Sequence, residues 1–378
     1  MATKNKTVES SDKAEKKRFW NNDMEAIIGI MVVLLILGTI NVFSSSFILA
    51  EAEFDNPYHF LQRHLINIAV GLVAFGICFK YDYHTWRRFM PYILGFSLFA
   101  LIFVLWKGRL VNGARRWIDL GFTFQPAEFC KLVSIMITAA YLSLQVRKER
   151  AIEIFTPQLG IVGAMAILTE LEPDMGTASI IAGIPIIMLI VAGLEKKKVM
   201  YMLAGVLVLA AGLIWYQPYR LERLKVVFDP WSDAQNVGYQ TVQSLSAIGS
   251  GELTGMGLGV GVSKYDYLPE AHTDFAFAIF CQENGFLGAI FVFMLFAAFA
   301  VYAARIAGFA RDEYGQILAM GIMILIVGQA IGNLFMVGGM FPVVGIPLPF
   351  ISYGGTSLIV TMAAVGMLVN IGRMGKKK

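Results

Sequence analysis

Residues 25–49 read EAIIGIMVVLLILGTINVFSSSFIL, with a single charged side chain at the first position. A bilayer core about 30 Å thick is crossed by about 20 apolar residues in a helix, so this run is long enough to span by itself. The pattern recurs at 62–79, 89–106, 126–144, 157–170, 176–194, 198–215, 275–304, 316–338 and 346–371. The expected fold is therefore an all-α polytopic membrane protein with about ten transmembrane helices. The fifth run is the weakest, being short and interrupted by Glu170 and Glu172. Composition agrees: hydrophobic residues make up 57% of the 378 and charged residues 15%, against about 25% charged in an ordinary globular domain. A mean hydropathy of +0.64 leaves too little polar surface for a soluble body.

The net charge of +4 is too mild to suggest nucleic acid as a partner. Cys78, Cys130 and Cys281 sit in apolar runs without metal-type spacing, which argues against disulfides and zinc. Residues 1–23 are polar, and no small-residue cleavage site follows the first run, so the first helix is expected to stay as an anchor. Three regions follow: a disordered basic tail at 1–24, a single ten-helix membrane domain at 25–372 and a basic tail at 373–378. Most of the 31 Lys and Arg residues fall in alternate connections, which places both termini in the cytoplasm. One connection is far longer than the usual few residues. It runs from about 216 to 274, between the seventh and eighth helices, and is expected outside the cell.

Five constellations gather on that outer side. The stretch 111–121 joins an Asn-Gly turn to Arg115, Arg116 and Trp117. Paired guanidiniums suit a phosphate and the indole suits a ring or a lipid chain, although an interfacial anchor reads the same way. Next, Gln125-Pro126-Ala127-Glu128 opens a helix with Lys131 one turn on. Ionisable groups inside a membrane are costly and by default functional, the plain alternative being a pair that locks helices together. In the same second constellation, Glu172-Pro173-Asp174 leads into Thr177, where Asp174 either caps a helix or faces a polar cavity. A glycine-rich stretch at 249–261 lacks the strand and the Lys-Ser/Thr helix of a nucleotide loop.

The fourth cluster, 265–275, holds Asp266, Glu270, His272 and Asp274 just before the eighth helix. A carboxylate desolvated there is a candidate general base; for Asp274 the plain alternative is a helix N-cap, and metal binding by Asp266, Glu270 and His272 has no diagnostic spacing. The fifth, 341–357, carries three prolines and the Ser352-Tyr353-Gly354-Gly355 break at the mouth of the last helix, which either lines a cavity or is a structural kink. Arg220, Arg223 and Lys225 open the long connection.

NGARRWIDLG (112–121), QPAEFCKL (125–132), EPDMGTA (172–178), YLPEAHTDF (267–275) and GIPLPFISYGGTS (345–357) resemble the signature set of the SEDS family (shape, elongation, division and sporulation). The motifs occur in the family's order, and the resemblance covers about 25–372. VNGARRW and YLPEAHTDF look most like the FtsW and SpoVE branches, whereas AIGSG (247–251) and FPVVGIPLP are also similar to RodA; the balance leans to FtsW. Glu172 stands where the family often has Gln. The resemblance implies a peptidoglycan glycosyltransferase that polymerises lipid II on the outer face of the bacterial inner membrane, for septal wall synthesis ahead of elongation or sporulation. It implies a class B penicillin-binding protein as transpeptidase partner, beside other divisome or elongasome membrane proteins. By motif position Asp274 is the essential carboxylate, Trp117 and the arginines lie at the groove and Asp266 is a secondary acidic site.

The expected roles follow from the chemistry. Asp274 takes the proton of a sugar hydroxyl. Arg115 and Arg116, with Arg223 as a further candidate, meet the pyrophosphates, and Glu128 and Lys131 shape the cavity below. Glu270, His272 and Ser352 are further substrate-site candidates. The sequence establishes no cofactor; a divalent cation, Mg or Mn, is the one that would share the pyrophosphate charge. The competing readings are a lipid-linked precursor transporter (a flippase) and a scaffold for a transpeptidase.

Overall fold

A computed structural model describes residues 22–111, 113–119, 123–216, 219–264 and 268–375. Each of the ten apolar runs falls on a helix. In chain order the helices are α1 (Asp23–Phe54), α2 (His59–Lys80), the short α3 (Tyr83–Arg88), α4 (Met90–Lys107), α5 (Pro126–Arg147), α6 (Pro157–Leu171), α7 (Met175–Val191), α8 (Lys196–Tyr216), α9 (Tyr219–Phe228), α10 (Tyr239–Ser250), α11 (Ala276–Gly308), α12 (Glu313–Val337) and α13 (Gly355–Gly375). Among the described residues seven of these, α1, α2, α4, α5, α11, α12 and α13, are long and apolar enough to cross a membrane. The chain is a multi-pass membrane protein. α6 and α7, at 15 and 17 residues, are shorter. The charged tails expected at 1–24 and 373–378 lie mostly outside the described residues.

The last helix starts later than the expected 346. Pro347 and Pro349 have no amide to donate, so 341–354 runs as irregular backbone and the helix begins at Gly355. Between α4 and α5 the chain forms a small antiparallel sheet that the apolar pattern does not announce: β1 (Arg109–Val111), β2 (Ala114–Asp119) and β3 (Thr123–Phe124). It sits on α4, α5 and α13.

α5 runs through the centre, against α4, α6, α7, α12 and α13. α8 stands apart: from residue 203 on, every side chain described is exposed except Ile214, which is half-buried. At the end of the bundle remote from the long connection, the Tyr83 hydroxyl donates to Asp312. The His84 ring there bridges Asp82 (2.7 Å) and Asp312 (3.1 Å).

The described parts of the long connection, 219–264 and 268–275, are folded. Asp229 caps a one-turn 3₁₀ segment, Pro230–Asp233, by accepting from the Trp231 amide at 3.2 Å. α10 then packs on α11 and α12. The glycine-rich stretch that follows repairs a break in α11. Gly285 sits at φ 66°, ψ −167°, a conformation that essentially only glycine adopts. The break frees amides and carbonyls inside the bundle, where an unpaired backbone group is costly. Residues 252–257 satisfy both sides. The Phe286 and Leu287 amides donate to the carbonyls of Glu252 and Leu253 (2.9 and 3.1 Å), while the Met256 and Gly257 amides donate to those of Gln282 and Glu283 (2.9 and 3.1 Å).

Candidate active site

Asp274 lies where the folded connection enters α11. Its carboxylate does not cap that helix: the N-cap position is Phe275, with no side-chain hydrogen bond. Asp274 is instead held through its backbone. Asn333 of α12 donates to the carbonyls of both Asp274 and Ile346, each at 2.7 Å. One turn earlier on α12, Gln329 donates to the Pro347 carbonyl at 2.8 Å and accepts from Lys131 at 2.9 Å. Lys131 is in turn paired with Glu128 at 2.6 Å, both side chains being almost wholly buried. Of these two amides on one face of α12, Asn333 ties the Asp274 backbone to the irregular 341–354 segment, and Gln329 ties that segment to Lys131. Gly345 makes that approach feasible. Its φ is +72°, and a Cβ there would stand 3.3 Å from the Asp274 carboxylate.

Two cavities meet at this carboxylate. The larger, about 740 Å³, is polar and lies between α2, the small sheet, α5 and α13. Among its lining residues are Arg63, Arg109, Arg116, Trp117, Asp119, Glu128, Asp174, Glu270 and Asp274. The second, about 630 Å³, runs between α7, α8, α9 and α12. Its wall is aliphatic, with Ile180, Ile184, Ile187, Ile214 and Ile324, and carries Arg116, Arg220, Arg223 and Asp274 near one end. Asp274, Arg116 and Gly345 line both.

The Arg116 guanidinium is held by the α6–α7 link, donating to the Glu172 carbonyl at 3.1 Å and to the Pro173 carbonyl. Asp174 serves in both of its expected ways: it caps α7 by accepting from the Thr177 amide (3.1 Å) and it lines the polar cavity, where Gln125 donates to it (3.0 Å). Burial pushes the Asp274 carboxyl up to about 7. The negative charges of Glu270 and Asp174 add to the rise, and Arg116 opposes it.

Of the residues singled out in the sequence, Asp274, Arg116, Trp117, Glu128 and Glu270 come together at the polar cavity. Arg223 lines the aliphatic one, donating to the Val343 carbonyl at 2.7 Å. Lys131 lies behind Glu128, away from both linings. Arg115 is not brought in. It is exposed on β2 and turns back to donate to the Trp106 carbonyl at 2.8 Å. The His272 ring packs on Phe60 and Tyr353, and burial lowers its pKa. The Ser352 hydroxyl accepts from the Leu348 amide at 2.9 Å within the irregular segment. Asp266 lies outside the described residues. Arg63, Gln125, Gln329 and Asn333 were not anticipated. For Arg63 the available signal is a cation at the second position of an apolar run. Among the described residues, no group of three or more His, Cys, Asp or Glu is arranged to hold a metal ion.

The family model of FtsW, RodA and SpoVE, described as cell cycle proteins, matches residues 24–377. The chain belongs to this family. It is 38% identical to the stage V sporulation protein E of Bacillus subtilis over 356 residues, 92% of this chain and 96% of that one. It is also 38% identical to a probable peptidoglycan glycosyltransferase FtsW of Geobacter sp. strain M18, over 90% of this chain and 94% of the relative. Among solved structures, it superposes on a chain of a peptidoglycan synthase complex that coordinates polymerization and crosslinking, with TM-score 0.74 at 24% identity, covering 93% of this chain and 98% of the other. The rod shape determining protein RodA of Thermus thermophilus superposes with TM-score 0.68 at 22% identity, over 93% and 97% of the two chains. These likenesses show a shared fold.

Glu172, whose carbonyl accepts from Arg116, carries a buried carboxyl. Neither carboxylate oxygen has a hydrogen bond among the described residues. Burial, then the charge of Asp174, pushes it up to about 9, and Arg116 opposes the rise. A folded-state pKa raised above the ordinary 4.5 means that folding is disfavoured progressively as pH rises between the two values. Glu172→Gln should therefore come close to wild type near pH 5 and exceed its unfolding free energy near pH 8 by on the order of 5 kcal/mol. Unfolding in detergent at the two pH values checks this; equal stability at both would mean that Glu172 is ionised.

Proposed function

We propose that this protein is a peptidoglycan glycosyltransferase that polymerises lipid II into glycan strands. The observation that carries the reading is the meeting of an aliphatic cavity and a polar cavity on one carboxylate and one guanidinium, Asp274 and Arg116. A lipid-linked sugar has the same division: a long hydrocarbon tail, a pyrophosphate at the membrane surface and a polar glycan. In this reading the donor's tail lies along α7 and α12 and its pyrophosphate meets Arg116 and Arg223. The acceptor glycan enters the polar cavity past Trp117 and Glu270. The acceptor's sugar hydroxyl forms the new glycosidic bond to the donor's anomeric carbon while the bond from that carbon to the pyrophosphate oxygen breaks. Asp274 takes the hydroxyl proton as general base. The fixed guanidiniums stabilise the charge that develops on the departing undecaprenyl pyrophosphate. A divalent cation such as Mg or Mn would share that charge, but the described residues offer it no cluster of protein ligands, so no step is assigned to one.

The chain is proposed to cross the bilayer ten times. α6, α7 and α8 make up the seven longer spans to that number, and both termini lie in the cytoplasm, where the concentration of Lys and Arg puts them. The 217–275 connection and both cavity mouths then face outward. The partner proposed is a class B penicillin-binding protein, because the superposable chain of the peptidoglycan synthase complex works beside a crosslinking activity. Septal synthesis is the favoured setting, with FtsW and SpoVE relatives equally similar at 38%.

The deciding experiment incubates purified protein with fluorescent lipid II, with and without a co-purified class B partner, and resolves the products on a gel. A ladder of glycan strands is expected. Its absence in both conditions, together with lipid II translocation in liposomes, would replace this reading with a transporter.

A further inference from the structure

Four polar residues, Asn41, Ser44, Ser45 and Ser46, are buried inside α1, an unfavourable place for them in a membrane helix. Two of them reach the Asp274 segment. Asn41 donates to the Ala276 carbonyl at 2.9 Å. Ser44, three residues on and hence on the same helix face, donates to the Glu283 carboxylate at 2.5 Å. The same Glu283 oxygen accepts from Lys264 at 3.0 Å and from the Gly259 amide at 3.1 Å. Lys264 also stands 3.2 Å from the Ser44 hydroxyl, and the Lys264 and Glu283 side chains are 5% and 1% exposed.

Lys264 and Ala276 flank the segment that carries Asp274, so one face of α1 fastens it before and after. A buried ion pair is a weak source of stability; what this one supplies is placement. Placement matters here because the Asp274 carboxylate accepts no hydrogen bond among the described residues. Its aim is inherited from its backbone. We propose that Asn41, Ser44, Lys264 and Glu283 are positioning residues that hold Asp274 at the junction of the two cavities. The proposal rests on the glycosyltransferase reading for its kinetic consequence only.

Asn41→Leu, Glu283→Gln, Lys264→Met and Lys264→Arg are compared with wild type in lipid II polymerisation and in amide hydrogen exchange of residues 268–276. A misplacement of about 1 Å is enough to cost about 100-fold in rate. The first three variants should therefore lose about 10- to 100-fold in kcat, with KM for lipid II within about twofold of wild type. Local fastening that is lost should raise exchange of 268–276 by about tenfold or more. Lys264→Arg keeps the charge and should keep most of the kcat. Asn41→Leu removes a hydrogen bond and no charge, so the test survives if the charge variants do not fold. Unchanged kcat in Asn41→Leu and Glu283→Gln overturns the proposal, as does a loss of kcat with exchange unaltered. If wild type makes no polymer, the glycosyltransferase reading fails, and exchange alone decides: unaltered rates in the variants overturn the positioning role too.

Discussion

Asp274→Asn should fold as wild type does and lose about 100- to 10,000-fold in polymerisation rate, the usual cost of removing a general base. Stability should not explain the loss. The folded-state pKa of Asp274 is raised from 3.8 to about 7, so its ionisation disfavours the fold increasingly as pH climbs between those values. Asparagine removes that penalty, and the variant should be at least as stable as wild type at pH 8. The same shift predicts the pH profile. A base acts when deprotonated, so kcat/KM should fall about tenfold per pH unit below about 7. Glu270→Gln removes the largest charge holding the value up and should move this acid limb to lower pH. Rates of lipid II polymerisation between pH 5.5 and 9 check both statements. A flat profile, or normal glycan strands from Asp274→Asn, would falsify the assignment.

Lys131→Met should be the most destabilising of these substitutions, by about 3–5 kcal/mol, because it strands Glu128 as an unpaired buried charge. It also takes the donor from Gln329, whose other end holds the Pro347 carbonyl, so polymerisation should fall with stability. The double variant Lys131→Met/Glu128→Gln removes both charges and should recover most of the lost unfolding free energy. Chemical unfolding in detergent measures the series. A loss below about 1 kcal/mol for Lys131→Met would mean that Glu128 is neutralised or hydrated from the polar cavity that it lines.

Ten of the helices were readable because each carries a long apolar run, the weakest being α6 with Glu170 near its end; the short polar α3 and α9 carry no such run. Asp274, Arg116 and Glu128 were readable because ionisable residues stand out beside such runs. The small sheet was not, since strands of three, six and two residues carry almost no period, and without it Arg115 and Arg116 look equivalent. Their partners separate them: Arg116 reaches the Glu172 and Pro173 carbonyls beside the cavity, while Arg115 turns back to the Trp106 carbonyl. Asn333 and Gln329 were hidden for another reason. An uncharged amide in an apolar helix barely disturbs the hydropathy, and what it holds, here the Asp274, Ile346 and Pro347 carbonyls, comes from distant parts of the chain. The Asp274 N-cap failed on geometry: Phe275 takes that position.

Lys198 and Met202 tie the start of α8 to the bundle, but among its described side chains from residue 203 on only Ile214 is even half-buried. The half of a membrane helix that lacks protein neighbours adapts to the thickness of the hydrocarbon around it, at a cost of fractions of a kcal/mol per Å of mismatch. Ile214 is also its contribution to the wall of the aliphatic cavity. If α8 lies in the bilayer as proposed, the width of that chamber should follow lipid chain length, so that the membrane's own composition would bear on how readily a long hydrocarbon tail is admitted.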